Sequence, residues 1–243
     1  MTSHNRSHLD LGSDSEEYYN NHVKDKFFEG ADFEGKFKAL IPKYYPAKYQ
    51  QYIREERALL RKRVRGTNRI MEAGVGIGRL IPPLAPLVKK LVGVDNSNLM
   101  LKESQRVASH YKNVEIRKLN LETLAVYFPN YYFDYSLCVW NTLGNVQNEV
   151  RILKNLRKIT KRSIFITVYS KGTLKDRQNW YKTVGIKIKR VDKKDEIFYS
   201  NSGLKSKSYS KEDIEKIALK AGLKVRQFKV LGGVILWSEM VSR

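Results

Sequence analysis

The sequence predicts an α/β fold with a mostly parallel sheet, and two apolar runs with a loop between them carry that prediction. The first run, over residues 70–71, leads into Glu72, and the second, over residues 91–94, leads into Asp95. Three glycines at alternate positions follow the first run: Gly74, Gly76 and Gly78. The order strand, glycine loop, helix, strand is typical of parallel α/β units that bind a ligand beyond the ends of their strands.

The spacing of the glycines indicates which kind of ligand the loop binds. Glycine lets the backbone turn tightly and approach a ligand that a Cβ would exclude, and an acid about 20 residues after such a loop commonly holds a ribose hydroxyl. A dinucleotide loop has the pattern Gly-x-Gly-x-x-Gly. Arg79 stands where its third glycine would be, so the dinucleotide pattern fails.

The pattern Glu-x-Gly-x-Gly-x-Gly over 72–78, with Asp95 ending the next strand, resembles motif I and the following acidic position of class I S-adenosylmethionine-dependent methyltransferases. The resemblance extends over about residues 69–240. It implies a Rossmann-like, seven-stranded, mostly parallel sheet with helices on both faces, a closing C-terminal β-hairpin and an N-terminal helical lid. It also implies S-adenosyl-L-methionine as the cofactor and S-adenosyl-L-homocysteine as the product.

The same resemblance suggests roles for individual residues. Glu72 would fix the loop and the methionine amino end, Asp95 would hold the ribose, and Asn120 would meet the adenine amino group, with Glu122 as its rival. The full set of expected cofactor contacts is Glu72, Gly74, Gly76, Gly78, Asp95, Asn96, Asn120, Leu121 and Trp140.

The loop after the fourth predicted strand is the candidate substrate site, because ligands of open α/β sheets bind at the carboxyl ends of the strands. Its polar residues Asn141, Thr142 and Asn145 can contact a substrate, or they can serve only as turn formers. Tyr18 and Tyr19, in the aromatic segment of the N-terminal lid, are further substrate candidates. No residue is identified as a catalytic base, and Cys138, inside the fourth strand, is expected to be a core residue.

Composition shifts divide the chain into three parts. Residues 1–15 form a polar tail that we expect to be disordered, residues 16–66 form the helical lid, and residues 67–243 form the cofactor-binding domain. Within that domain we expect a helix after Asp95 capped by Asn96 or Ser97, a helix capped by Ser210 and ended by Gly222, and a closing hairpin of two strands.

The net charge of +21 indicates contact with a polyanion or, equally, only a lysine-rich surface. The basic residues are densest over 151–194, where Trp180 and Tyr181 could stack on a base. The four histidines show no metal-ligand spacing, and we expect no metal site. No apolar run reaches transmembrane length and no signal-peptide pattern begins the chain, so we expect a cytoplasmic protein.

The sequence leaves the acceptor open. We expect methyl transfer to a nucleophilic nitrogen or oxygen of a small molecule. The alternatives are an RNA methyltransferase that uses the basic surface, a protein methyltransferase, and a cofactor-binding protein without turnover. Amino-group methyltransferases of nucleobases usually carry an Asn/Asp-Pro-Pro-aromatic tetrad, and the stretch over 141–144 lacks it. The oligomeric state is not predicted.

Overall fold

The computed structural model describes residues 45–201 and 203–243. The expected tail, most of the expected lid, and the candidates Tyr18 and Tyr19 therefore lie outside the described residues and remain predictions.

The described elements alternate between strands and helices over most of the chain. The strands are β1 (Thr67–Ala73), β2 (Val88–Asp95), β3 (Val114–Lys118), β4 (Phe133–Cys138), β5 (Thr160–Ser170), β6 (Ile188–Asp192), β7 (Ile197–Ser200), β8 (Lys205–Tyr209), β9 (Leu223–Leu231) and β10 (Ile235–Ser242). The α-helices are α1 (Ala47–Val64), α2 (Ile81–Leu84), α3 (Asn98–Ala108), α4 (Thr142–Asn145), α5 (Glu149–Ile159), α6 (Leu174–Thr183) and α7 (Lys211–Lys220).

The sheet has the predicted architecture. Strands β3, β2, β1, β4 and β5 lie side by side in that order, and all their pairings are parallel. Strand β10 pairs antiparallel with β5, and β9 pairs antiparallel with β10. The mostly parallel sheet and the closing C-terminal hairpin are thus confirmed.

Strands β6, β7 and β8 enlarge this sheet beyond the seven strands that were expected. They pair antiparallel with one another, and β8 joins the carboxyl end of β5, where Tyr169 pairs with Ser208. No strand was predicted over 205–209. The alternation of buried and half-buried residues in β8 was hard to recognise, because the buried positions Ser206 and Ser208 are polar and the half-buried positions that alternate with them are lysines.

Both faces of the sheet are covered by apolar side chains. One cluster packs α1 and α2 against the sheet, and it includes Leu60, Ile81 and Trp237. The other packs α5 and α7 on the opposite face, and it includes Leu153 and the buried Cys138. The doubly covered sheet matches the near-continuous apolar runs from which it was predicted.

The predicted helix caps are present. The Ser97 side chain accepts a hydrogen bond from the Met100 amide at the start of α3. At α7, the Ser210 side chain accepts from the Asp213 amide, and the Asp213 carboxylate accepts from the Ser210 amide. This capping box satisfies two amide groups that have no partner within the helix.

Helix α1 is held against the turn between β9 and β10. The Gly232 amide donates to the Glu55 carboxylate over 2.8 Å. A Cβ on Gly232 would lie 2.0 Å from the Lys48 carbonyl oxygen, and the residue has a φ of +56°. The turn can therefore approach the helix backbone only because this position is glycine.

Replacing the two glycines of this turn should separate the effect of helix contact from the effect of backbone conformation. Gly233 has a φ of +72° but has no atom within 4 Å of its would-be Cβ. We expect Gly233→Ala to cost about 1 kcal/mol of unfolding free energy, and Gly232→Ala to cost more than about 3 kcal/mol because α1 must move. Urea unfolding measures both. Equal costs would show that α1 does not depend on this contact.

Candidate active site

A cavity opens at the carboxyl ends of β1, β2, β4 and β5, where a ligand site was predicted. Ten of the residues expected at the site line it. They are Glu72, Gly74, Gly76, Asp95, Asn96, Leu121, Trp140, Asn141, Thr142 and Asn145.

The glycine loop is tied to the end of β2 on one side of this cavity. The Asp95 carboxylate accepts from the Gly76 amide over 2.9 Å and from the Ser97 amide over 3.1 Å. Gly76 has a φ of +54° and open space where a Cβ would be. The backbone is therefore exposed to a ligand at this point, and Asp95 lies beside it.

The other two glycines serve packing. A Cβ on Gly74 would lie 2.6 Å from the Thr142 side chain, which ties the loop to the end of β4. A Cβ on Gly78 would lie 2.8 Å from Ile81 and 3.3 Å from the Ser104 backbone. Gly78 does not line the cavity; it lets α2 and α3 pack closely.

The carboxyl group of Glu72 is buried in the cavity wall. The residue is 3% exposed, and its buried Oε2 atom has no hydrogen-bond partner among residues 45–201 and 203–243. Burial raises the pKa of Glu72 from its ordinary 4.5 to about 8, although the nearby Arg79 charge opposes the shift. A buried, unpaired carboxyl in a cavity wall is typical of a ligand-binding position.

Arg79 extends the same wall and holds α1 to it. Its Nη2 donates to the Glu56 carboxylate over 2.6 Å, and the Glu56 side chain is fully buried. Its Nη1 is buried and has no hydrogen-bond partner within the part of the chain that the structure describes. One end of the guanidinium is thus fixed by α1, while the other end leaves a positive, unpaired donor in the wall.

The loop after β4 has an unusual backbone. Trp140 and Asn141 have φ angles of 55° and 58°, a conformation that costs non-glycine residues energy and concentrates at functional sites. Side-chain contacts hold it in place. The Thr167 hydroxyl accepts from the Trp140 amide over 2.8 Å, and the Asn141 side-chain oxygen accepts from the Tyr169 amide over 3.2 Å.

Five aromatic residues form the other half of the cavity, and only Trp140 among them was expected at the site. Tyr45 stacks on Trp140 with ring centroids 4.9 Å apart and meets Trp180 edge-on at 4.7 Å. Tyr181 meets Tyr169 edge-on at 6.3 Å. All five residues line the cavity. No local motif marks the other four, because they are distant from Trp140 in the sequence and come from three separate parts of the chain.

Trp180 and Tyr181 are 1% and 3% exposed and line the cavity. Neither ring is available to a base at the outer surface, and their stacking on a base stays a prediction. Most basic residues over 171–207, including Lys187, Lys189 and Arg190, are exposed, whereas Arg177 is buried.

Asn120 and Glu122 lie beside the cavity and do not line it. The Asn120 side-chain oxygen accepts from the Glu122 amide over 2.8 Å, and the Glu122 carboxylate lies 3.7 Å from Arg151. Their expected contact with adenine stays a prediction. In the described residues no cluster of three or more metal-ligating side chains occurs. None of the helices over 45–201 and 203–243 has the length and apolar character needed to cross a membrane.

Known methyltransferases are similar to this chain in sequence and in fold. Residues 70–163 match the family model of the methyltransferase domain. Phosphoethanolamine N-methyltransferase 3 of Arabidopsis thaliana is 29% identical over 99 residues, which span 40% of this chain and 20% of that enzyme. The chain thus spans about a fifth of the length of the curated relative that it matches.

Solved methyltransferase structures share the fold. The magnesium protoporphyrin IX methyltransferase of Synechocystis PCC 6803, solved with S-adenosylhomocysteine, gives a TM-score of 0.60 at 18% identity and covers 83% of this chain and 86% of its own. The 1,6-didemethyltoxoflavin-N1-methyltransferase of Burkholderia thailandensis gives 0.59 at 12% identity, over 79% of each chain. A protein of Pyrococcus horikoshii OT3 gives 0.67 at 17% identity, over 86% of this chain and 99% of its own.

The fold and the glycine loop define the class of the protein: it has the architecture of a class I S-adenosylmethionine-dependent methyltransferase.

The raised pKa of Glu72 should make stability depend on pH. The native state keeps Glu72 protonated up to about pH 8, whereas the unfolded chain ionises it near pH 4.5. The unfolded state then binds fewer protons between these values, so stability falls as pH rises, by up to about 1.4 kcal/mol per pH unit. Urea unfolding at several pH values should show this loss in the wild type but not in Glu72→Gln.

The control for this measurement is Glu103→Gln, since the Glu103 carboxylate pairs with Arg106 at the surface of α3. This variant should keep the pH dependence of the wild type. The same pH dependence in the wild type and in Glu72→Gln would contradict the assignment of a raised pKa to Glu72.

Proposed function

We propose that the protein transfers a methyl group from S-adenosylmethionine to a nucleophilic nitrogen or oxygen of a small molecule. The observation that carries this proposal is a single cavity wall that holds the Gly76 backbone, Asp95 and the unpaired Glu72. It is supported by the family match over 70–163. Neighbours of the same fold act on a porphyrin and on a toxoflavin precursor, according to their names.

The cavity residues fit the nucleoside part of the cofactor. Asp95 would bind the ribose hydroxyls, and the Gly76 backbone, with no Cβ to obstruct it, would let the cofactor approach closely. Met100, Leu119 and Leu121 line the cavity further along the carboxyl ends of β2 and β3 and would pack on the adenine ring. The role of Asn120 at the adenine amino group stays part of this proposal.

The buried Glu72 carboxyl and the Arg79 guanidinium fit the methionine end. Glu72 Oε2 and Arg79 Nη1 are both buried and lack hydrogen-bond partners in the described part of the chain, and such groups cost free energy until a ligand satisfies them. An α-amino acid carries an ammonium and a carboxylate on one carbon. We assign the ammonium to Glu72 and the carboxylate to Arg79.

The bound cofactor supplies an electrophilic methyl group on a sulfonium, and transfer requires in-line attack in a dry pocket. The residues of this chain would orient the acceptor and exclude water: Trp140, Tyr45 and Trp180 do so with their packed rings. The titratable carboxylates that line the described cavity, Glu72 and Asp95, are both assigned to the cofactor. We therefore propose an acceptor atom that already carries a reactive lone pair and needs no strong base.

RNA is the second candidate, favoured by the charge of residues 171–207. This segment has eleven Lys and Arg against four Asp and Glu, a net charge of +7, and most of these basic residues are exposed. The buried position of Trp180 and Tyr181 removes the aromatic platform that single-stranded RNA recognition commonly uses. We therefore prefer a small molecule to RNA or protein.

Cofactor binding is the first test. Calorimetry should detect S-adenosylhomocysteine binding to the wild type, and Asp95→Ala should weaken it by roughly 1.5–3 kcal/mol, because hydrogen bonds to a charged group are lost. Glu103→Ala, with the change at the surface of α3, should bind like the wild type. No binding to the wild type, or a preference for NAD, would refute the proposal.

The acceptor class is the second test. Labelled cofactor is offered together with small-molecule extract, total RNA or protein extract, and we expect label in the small-molecule fraction only. The charge-reversal variant Lys187→Glu/Lys189→Glu/Arg190→Glu should retain this activity. Label in RNA that is lost in this variant, with RNA binding that weakens steeply with salt, would show RNA to be the substrate.

A further inference from the structure

Three hydroxyl groups lie in the aromatic half of the cavity. Trp180 Nε1 donates to the Tyr169 hydroxyl over 3.2 Å, and the Tyr169 and Tyr181 rings meet edge-on with centroids 6.3 Å apart. Tyr181 donates in turn to the Ser206 hydroxyl over 2.6 Å. We call Tyr169, Tyr181 and Ser206 the hydroxyl chain. All three residues line the cavity.

Asn141 is hydrogen-bonded to Ser206, the last member of the hydroxyl chain. Its side-chain oxygen accepts from the Tyr169 amide, and this bond fixes the orientation of the amide group because a backbone N–H can only donate. The Asn141 Nδ2 atom therefore donates to the Ser206 hydroxyl, over 3.1 Å. Ser206 accepts two hydrogen bonds, which use both of its lone pairs.

The Ser206 hydroxyl lacks an acceptor for its own proton. It accepts from Tyr181 and from Asn141, and these two bonds use the protons of the Tyr181 hydroxyl and the Asn141 amide. In the described residues the Ser206 proton is therefore left without an acceptor.

The surrounding rings are poorly suited to a cationic ligand. The Arg177 guanidinium lies 5.0 Å from the centre of the Tyr169 ring, and the Arg79 guanidinium lies 5.6 Å from that of Trp140. These rings already interact with protein cations, whose charge repels a further cation. The carboxylates of the cavity wall, Glu72 and Asp95, lie on the side assigned to the cofactor.

We propose that the Ser206 hydroxyl is a recognition donor and that the acceptor substrate is an uncharged, planar aromatic or heteroaromatic molecule with a carbonyl oxygen or ring nitrogen. Its ring packs among Tyr45, Trp140 and Trp180, and its carbonyl oxygen or ring nitrogen accepts the Ser206 proton. This inference rests on the proposed function, which supplies the cofactor half of the site, and it adds the chemical class of the acceptor.

Three probes of nearly equal shape test the inference on wild-type protein saturated with S-adenosylhomocysteine. Quinoline has a ring nitrogen that accepts a hydrogen bond, naphthalene has none, and N-methylquinolinium is a cation. Ligand-observed NMR titration near pH 7.5 should show quinoline binding about 3- to 10-fold more tightly than naphthalene, the difference that one net hydrogen bond makes. N-methylquinolinium should bind more weakly than quinoline.

The role of Ser206 as a hydrogen-bond donor is tested with two serine-to-alanine variants. Ser206→Ala should lower quinoline affinity to the level of naphthalene and leave naphthalene unchanged. Ser208→Ala is the control: Ser208 lies two residues further along the same face of β8, is buried, and bonds Arg177, but it does not line the cavity. It should keep the preference for quinoline. Thermal unfolding in parallel establishes that both variants are folded.

Three results would contradict the inference. N-methylquinolinium binding as tightly as quinoline, no binding of any of the three probes, or an unchanged quinoline preference in folded Ser206→Ala would overturn the inference. The order of the three probe affinities for the wild type tests the inference even if Ser206→Ala does not fold. Failure of the wild type to bind S-adenosylhomocysteine would instead overturn the proposed function, so the two failures are distinguishable.

Discussion

The buried ion pair between Glu56 and Arg79 is the interaction on which the site depends. It joins α1 to the residue that follows the glycine loop, with both side chains nearly removed from solvent. Glu56 also accepts hydrogen bonds from the hydroxyls of Tyr52 and Thr167. Removing one member of such a pair leaves a buried charge uncompensated, which generally costs about 3–5 kcal/mol. The pair therefore specifies where α1 lies relative to the cavity.

The same network supports the backbone of the loop after β4. Thr167, which donates to Glu56, accepts the Trp140 amide, and Asn141 is held by the Tyr169 amide. These bonds stabilise two consecutive residues with positive φ, a conformation that would otherwise be disfavoured. Helix α1, the glycine loop, β5 and the loop after β4 thus form one hydrogen-bonded unit around the cavity.

The cavity has two halves. The glycine loop, Asp95 and Glu72 line one half, and the fold that carries them does not by itself determine the substrate. The other half is built by Tyr45 before α1, by α6, and by β8, which carries Ser206. The segment containing α6 and β6–β8 places its apolar and hydroxyl groups inward and its lysines outward. Its strong positive charge is therefore compatible with an uncharged acceptor inside.

The sequence by itself determined the parallel strands of the sheet and the glycine-loop half of the cavity, because their signals are local. Apolar runs marked β1 and β2, the spacing of Gly74, Gly76 and Gly78 marked the loop, and Ser210 with Asp213 marked a helix start. Each of these depends on neighbours within a few residues, since backbone conformation and capping act over that range.

Only the tertiary structure decided the aromatic half of the cavity. Ser206 lies in a strand whose alternation of serine and lysine lacks an apolar signal, and its partners Tyr181 and Asn141 are 25 and 65 residues away in the chain. The unpaired state of Glu72 likewise follows from what packs around it. Hydrogen-bond satisfaction of a buried group depends on all groups that surround it in space, and spacing along the chain carries no information about them.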